Sequence, residues 1–111
     1  MAKSLTEITE KLRNETHTPG ELTEYHLWLS GEYTFWAGQL EEILKRKPQV
    51  WLSIRKQEEV KSDSRADKEY EKTEDGQNEI ILKFRLKTMT KLMSAIRTRL
   101  EIVREEARNQ F

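Results

Sequence analysis

Few side chains in this 111-residue sequence are placed to catalyse a reaction or to hold a metal ion. Cysteine is absent, and the two histidines, His17 and His26, lie nine residues apart with a proline between them. Adjacent glutamates such as Glu41 and Glu42 point to different sides of a helix and cannot act as a carboxylate pair. The sequence has no phosphate loop, nucleophile elbow or dinucleotide-binding motif. We therefore expect a protein that is not an enzyme, with no metal site and no cofactor.

Basic residues are the side chains whose pattern does indicate a chemistry. They fall in two segments without Asp or Glu, one around Trp51 and one between Lys83 and Leu100. Such segments can neutralise phosphates, and an aromatic ring among them can stack on an unpaired base. Lys83, Lys87 and Lys91 are spaced four apart, so they form one stripe on a helix. The candidate nucleic-acid-binding residues are Lys45, Arg46, Lys47, Trp51, Arg55, Lys56, Lys83, Arg85, Lys87, Lys91, Arg97 and Arg99.

The charge distribution supports a second interpretation of the same residues. The formal net charge is zero, but residues 1–44 carry three basic and eight acidic residues, and residues 45–111 carry 17 and 12. An acidic half and a basic half can pair within a chain or between subunits. The basic residues would then solvate helix exteriors and pair with the Glu-rich half. From the residues alone, both interpretations stay open.

The elements that must position these residues are predicted to be helices. Apolar residues make up 35% of the chain and charged residues 36%. An average globular domain has about 45–50% and about 25%, so the composition favours long, half-exposed helices. A seam with alternating steps of four and three predicts a long C-terminal helix that packs along one side. Its members are Leu82, Leu86, Met89, Met93, Ile96, Leu100, Val103 and Ala107.

Local signals divide the rest of the chain. Ser4 and Thr18, each followed three residues later by glutamate, predict capped helix starts. Pro48 predicts a break or kink after the aromatic helix, with a second helix or a short strand beyond it. Gly31 and Gly38, seven apart, predict close approach of a neighbouring element. Asp75 and Gly76 predict a turn, with a break near Gly76. The expected single domain has an N-terminal helix or arm (1–17), aromatic and basic helices (18–56), a polar connector (57–77) with helix around 64–72, and a long basic helix (78–109).

The predicted fold is therefore all-α, an elongated helical hairpin or bundle with a long C-terminal helix. The aromatic residues at 25–51 are interpreted as a core or a subunit interface, which favours a homo-oligomer. No apolar run is long enough to span a membrane, and Met1–Ser4 lacks a hydrophobic signal core. We expect a soluble, cytoplasmic protein with no membrane contact.

The order of these features resembles the phage recombination mediator family typified by the UvsY protein of T4-type phages. The resemblance covers residues 20–105. Its elements are Tyr25-x-x-Trp28-Leu29, the basic segment 45–56, the run Asp67-Lys68-Glu69-Tyr70-Glu71-Lys72-Thr73-Glu74, and the helix at 81–99.

The resemblance implies a ring-like homo-oligomer that binds single-stranded DNA in the host cytoplasm. Such a protein helps a RecA-like recombinase to displace the single-strand-binding protein. The family's basic residues would correspond, as a class, to Lys45, Arg46, Arg55, Lys56 and the stripe from 83 to 99. The alternative is a small helical interaction module that docks on a host enzyme, inhibits it, or serves as a virion scaffold.

Overall fold

The structure of the protein is a computed structural model that describes residues 4–14 and 18–109. These residues form four helices, α1 (Leu5–Asn14), α2 (Pro19–Arg55), α3 (Asp63–Glu71) and α4 (Glu74–Asn109). No strand occurs in the described ranges, which confirms the all-α prediction and its long C-terminal helix. None of the described helices has the length and apolar character needed to cross a membrane. His17 lies outside the described residues.

Side-chain caps start the first two helices as predicted. The Ser4 hydroxyl accepts the Glu7 backbone N–H at 3.1 Å, before α1. The Thr18 hydroxyl accepts the Glu21 N–H at 3.2 Å, and the Glu21 carboxylate accepts the Thr18 N–H at 3.4 Å. This reciprocal arrangement satisfies backbone donors that the first turn of a helix leaves unpaired.

Of the break or kink predicted at Pro48, the break is wrong, because α2 continues through this residue to Arg55. Proline removes one helical hydrogen bond and crowds the carbonyl four residues earlier, a cost of about 3 kcal/mol. Burial after the proline offsets that cost. Ile54 is buried, and Val50 and Trp51 pack against the cluster to which Ile54 belongs. The alternative of a short strand over 50–55 is wrong for the same reason.

The chain divides into two compact units, each with its own buried side chains. Unit 1 comprises Met1–Thr34 and Lys87–Phe111. Its buried apolar residues come from α1, the start of α2 and the later part of α4. They are Ile8, Leu12, Leu22, Tyr25, Leu29, Met89 and Ile96.

Unit 2 comprises Phe35–Leu86, and it includes the segment expected to be a polar connector. That segment contains α3, as the sequence predicts for residues 64–72. The apolar and aromatic side chains of this segment are Val60, Ala66 and Tyr70, and all three are buried in one cluster with Ile54. Ile43, Leu82 and Leu86 are the other buried apolar residues of this unit.

Thr73 and Gly76 form the corner between α3 and α4, where the sequence predicts a break. The Thr73 hydroxyl donates to the Tyr70 carbonyl at 2.6 Å and accepts the Gly76 N–H at 3.0 Å. Asp75 and Gly76 therefore lie in the first turn of α4, so the interpretation of this pair as a turn is wrong. Glycine is needed here because a Cβ would overlap the Tyr70 carbonyl oxygen and lie 2.8 Å from the Glu71 Cα.

The seam on α4 agrees with the predicted spacing. Leu82, Leu86, Met89 and Ile96 are buried. Met93, Leu100 and Val103 are half-buried, and Ala107 is exposed. The prediction for Gly31 and Gly38 is wrong, because a Cβ at either position would meet no atom of another described element within 4 Å.

Candidate nucleic-acid interface

The basic segment around Trp51 makes ion pairs within unit 2. Arg46 forms a two-point pair with Asp75, with Nε to Oδ2 at 2.7 Å and Nη2 to Oδ1 at 2.8 Å. The hydrogen bonds from Arg46 hold the pKa of the Asp75 carboxyl below its usual value. Lys45 lies 3.3 Å from Glu41 and 3.6 Å from Glu42 on its own helix. Both cations are matched by carboxylates.

Arg55 and Trp51 fasten the end of α2 to the turn and to α3. The Arg55 Nε donates to Asp63 at 2.9 Å, and its Nη1 donates to the Val60 carbonyl at 2.9 Å. The Trp51 indole N–H donates to Asp67 at 2.8 Å, and the ring packs against the buried cluster. These contacts assign both side chains a structural role, which the sequence does not indicate because their acidic partners lie on a later element.

A buried carboxylate forms ion pairs with two more of the candidate lysines. Glu79 on α4 lies 3.1 Å from the Lys47 Nζ and 3.0 Å from the Lys83 Nζ. It also accepts the Tyr70 hydroxyl at 3.2 Å. Burial alone would raise the pKa of Glu79, but the hydrogen bonds and charges of Lys83 and Lys47 outweigh it and lower that pKa. This group joins α2, α3 and α4, and sequence reasoning missed it because Glu79 resembles any other glutamate of the chain.

Six of the candidate cations have no carboxylate partner among the described residues, namely Lys56, Arg85, Lys87, Lys91, Arg97 and Arg99. Four of the six lie on α4 within unit 1. Lys87 and Lys91 are exposed and one helical turn apart. Arg99 lies roughly 200° around the helix from Arg97, so the two arginines do not share a face.

Arg104 extends the surface that Arg97 begins, because a separation of seven residues is two helical turns. The two arginines line a groove of about 490 Å³ in unit 1, together with His26, Leu27 and Leu100 on its walls. Glu101 also lines this groove. Arg104 has no carboxylate partner in the described part of the chain, although the sequence alone does not select it.

Arg85 differs from the other candidates of unit 2 because its partner is an aromatic ring. Its guanidinium lies 4.4 Å from the centroid of Trp36. Both residues line a groove of about 340 Å³ between α2 and α4 of this unit. The sequence marks Trp36 only as one of several aromatic residues at helical spacing, so this stack is visible only in the structure.

Among the described residues, no group of three or more His, Asp and Glu side chains is arranged to hold a metal ion. The sequence matches no protein-family model, and comparisons with curated proteins and with solved structures gave no significant match.

Proposed function

We propose that the protein is a non-enzymatic protein that binds single-stranded DNA through the unpaired cations of α4 in unit 1. One observation carries this proposal. Lys87, Lys91, Arg97 and Arg104 have no carboxylate partner in the described part of the chain, whereas Arg46, Lys47 and Lys83 of unit 2 are ion-paired. Unpaired exposed cations can replace the counterions that a phosphate backbone carries. Lys56 and Arg99 remain secondary candidates.

The decisive measurement is the affinity for a labelled oligothymidylate as a function of salt, by fluorescence anisotropy. Each phosphate contact to a single strand contributes about 0.7 to the slope of log K against log salt. The double variant Lys87→Glu and Lys91→Glu is therefore expected to lower the affinity more than tenfold and to reduce the slope by about 1.4.

A matched control reverses the same number of charges elsewhere. Lys61 and Lys68 are exposed and have no carboxylate partner in the described ranges, but they lie in an acid-rich segment of unit 2. The variant Lys61→Glu and Lys68→Glu should bind like the wild type. Equal losses in both double variants, or no binding by the wild type at low salt, would contradict the proposal.

The finer role that we propose is recombination mediation in a phage, in which the protein loads a RecA-like recombinase onto a strand coated by a single-strand-binding protein. The resemblance in sequence order is its support. The test measures the strand-dependent ATPase activity of such a recombinase on coated DNA. Addition of the wild type should shorten the lag before activity, and the Lys87→Glu and Lys91→Glu variant should not.

We also propose that the protein self-associates, so that several weak phosphate contacts combine. Leu44, Pro48 and Leu52 recur every four residues on α2 and form an exposed apolar stripe beside Trp51. Apolar stripes of this kind are typical of protein contacts. Sedimentation should show an oligomer for the wild type, and the variant Leu44→Glu and Leu52→Glu should be a monomer. Gln49→Glu and Ser53→Glu, on another side of the same helix, form the control.

The apolar stripe also favours the second candidate, a protein-interaction module. Under this hypothesis the wild type is a monomer at micromolar concentration and binds no oligonucleotide. A nuclease-treated host lysate should then yield one stoichiometric partner protein, and Leu44→Glu with Leu52→Glu should lose it. The oligonucleotide measurement separates the two functions directly.

A further inference from the structure

An exposed aromatic pair lies beside the Arg85 guanidinium in unit 2. The Phe35 and Trp36 ring centroids are 4.9 Å apart, with an interplanar angle of 79°. Phe35, one of three phenylalanines in the chain, is 56% exposed. Arg85 and Phe35 both lie against Trp36, so a guanidinium and an exposed aromatic ring adjoin the same indole.

Two arginines, Arg46 and Arg85, line the adjoining groove, and they differ in whether a carboxylate pairs with them. Glu42 also lines the groove. Arg46 is held by Asp75 at 2.7 Å, and Glu42 lies 3.6 Å from Lys45. Arg85 has no carboxylate partner among the described residues, and its guanidinium is held over the Trp36 ring, 4.4 Å from the ring centroid. A guanidinium held in this way keeps its N–H donors available in a fork that fits a phosphate.

We infer that this corner of unit 2 binds one unpaired nucleotide, with the base stacked on Phe35 and the adjoining phosphate held by Arg85. This inference rests on the proposed function and adds a site separate from the cations of unit 1. Base stacking requires an unpaired strand, so the site supplies the selectivity for single strands that lysines alone do not give. The ligand class is a single-stranded oligonucleotide, and stacking makes no demand on base identity.

The test compares an oligothymidylate with an abasic oligonucleotide of the same length and phosphate number. The wild type should bind the oligothymidylate at least about fivefold more tightly, since one stacked base contributes that much. Phe35→Leu keeps an apolar side chain without a π-face, and it should abolish the difference. Phe35→Trp should retain it.

Two further variants define the site. Ile80 is 51% exposed on α4 and does not line the groove, so Ile80→Ala should keep the wild-type preference for bases. Arg85→Gln should weaken the binding of both oligonucleotides about tenfold, because it removes a phosphate contact and leaves the base contact in place. Circular dichroism establishes that each variant is folded.

The outcomes separate this inference from the proposed function. If the wild type binds both oligonucleotides equally, or if Phe35→Leu keeps the full preference for bases, the stacking site is overturned and the cation interface of unit 1 stands. If the wild type binds neither oligonucleotide at low salt, the proposed function fails and the stacking site fails with it. A preference for bases that is lost in Phe35→Leu and kept in Ile80→Ala supports the site.

Discussion

At the scale of single residues, Glu79 shows how one side chain can reassign several others. Its carboxylate forms ion pairs with Lys47 and Lys83, which the sequence presents as candidates for phosphate binding. A charge that leaves water needs partners, and two lysines with the Tyr70 hydroxyl provide them. The charge of a lysine is visible in the sequence, whereas its availability to a ligand depends on such neighbours.

Replacement of Glu79 should destabilise the protein in a pH-dependent way. Glu79→Gln is expected to lower the free energy of unfolding at neutral pH by about 1–3 kcal/mol, because it removes the charge that pairs both lysines. The folded-state pKa of Glu79 is lowered from 4.5, so its contribution is present above that pH and is lost as the pH falls through the folded-state pKa. Urea titrations across this pH range measure the effect, with exposed Glu58→Gln as the control. A neutral-pH loss no larger than the control's would contradict this role.

Tyr70 should titrate later than an ordinary tyrosine. Burial of the hydroxyl, with the Glu79 charge beside it, raises the pKa of Tyr70 from 10.0 to about 12. The folded state favours the protonated hydroxyl. The contribution of Tyr70 to stability is therefore full below pH 10 and is lost as the pH rises towards 12. The ultraviolet absorbance of tyrosinate should show one late step among the tyrosines, and Tyr70→Phe should remove it. Persistence of that step in the variant would contradict the assignment.

The glycines give opposite predictions for the same substitution. Gly76→Ala should destabilise by about 1–3 kcal/mol or more, because the new Cβ would overlap backbone that cannot move aside. Gly31→Ala and Gly38→Ala should each stabilise by about 0.5–1 kcal/mol, since both lie in the interior of α2 with open space around them. Thermal unfolding of the three variants tests this, and a gain in stability for Gly76→Ala would contradict the described corner.

At the scale of elements, α2 and α4 differ in what made them predictable. The caps at Ser4 and Thr18 and the seam of α4 are local patterns, and local patterns fix helices well. The continuation of α2 through Pro48 depends on the burial of Ile54 and on the packing of Val50 and Trp51, which no local pattern records. Proline is a statistical signal for a break, and tertiary packing can exceed its cost.

Removal of the proline should therefore stabilise α2. Pro48→Ala restores a backbone N–H and relieves the crowding of the Leu44 carbonyl, so a gain of about 1–3 kcal/mol is expected. Chemical denaturation measures the gain. The substitution Pro48→Gly is the informative comparison, because it restores the same N–H but adds backbone freedom and should gain less. A loss of stability in Pro48→Ala would show that the helix requires the proline.

At the scale of the whole molecule, two compact units share two long helices. Because α2 and α4 each run through both units, we expect one cooperative unfolding transition rather than two. Leu29→Ala in unit 1 and Ile43→Ala in unit 2 each truncate a buried side chain, at an expected cost of about 2–5 kcal/mol. Both variants should shift the whole transition, seen by circular dichroism and by tryptophan fluorescence. Separate transitions by the two probes would contradict this expectation.

The sequence by itself determined the helical class, the helix caps, the seam and the two acid-free basic segments. Each is a property of composition or of spacing along one helix, and such properties need no knowledge of distant partners. The tertiary structure decided which of the basic side chains remain available. It paired Arg46 with Asp75 and Lys47 with Glu79, placed Arg85 on Trp36, and left Lys87 and Lys91 without a carboxylate among the described residues. The physical reason is that ion pairs and ring stacks join residues about 30 to 50 positions apart, a separation that only folding brings together.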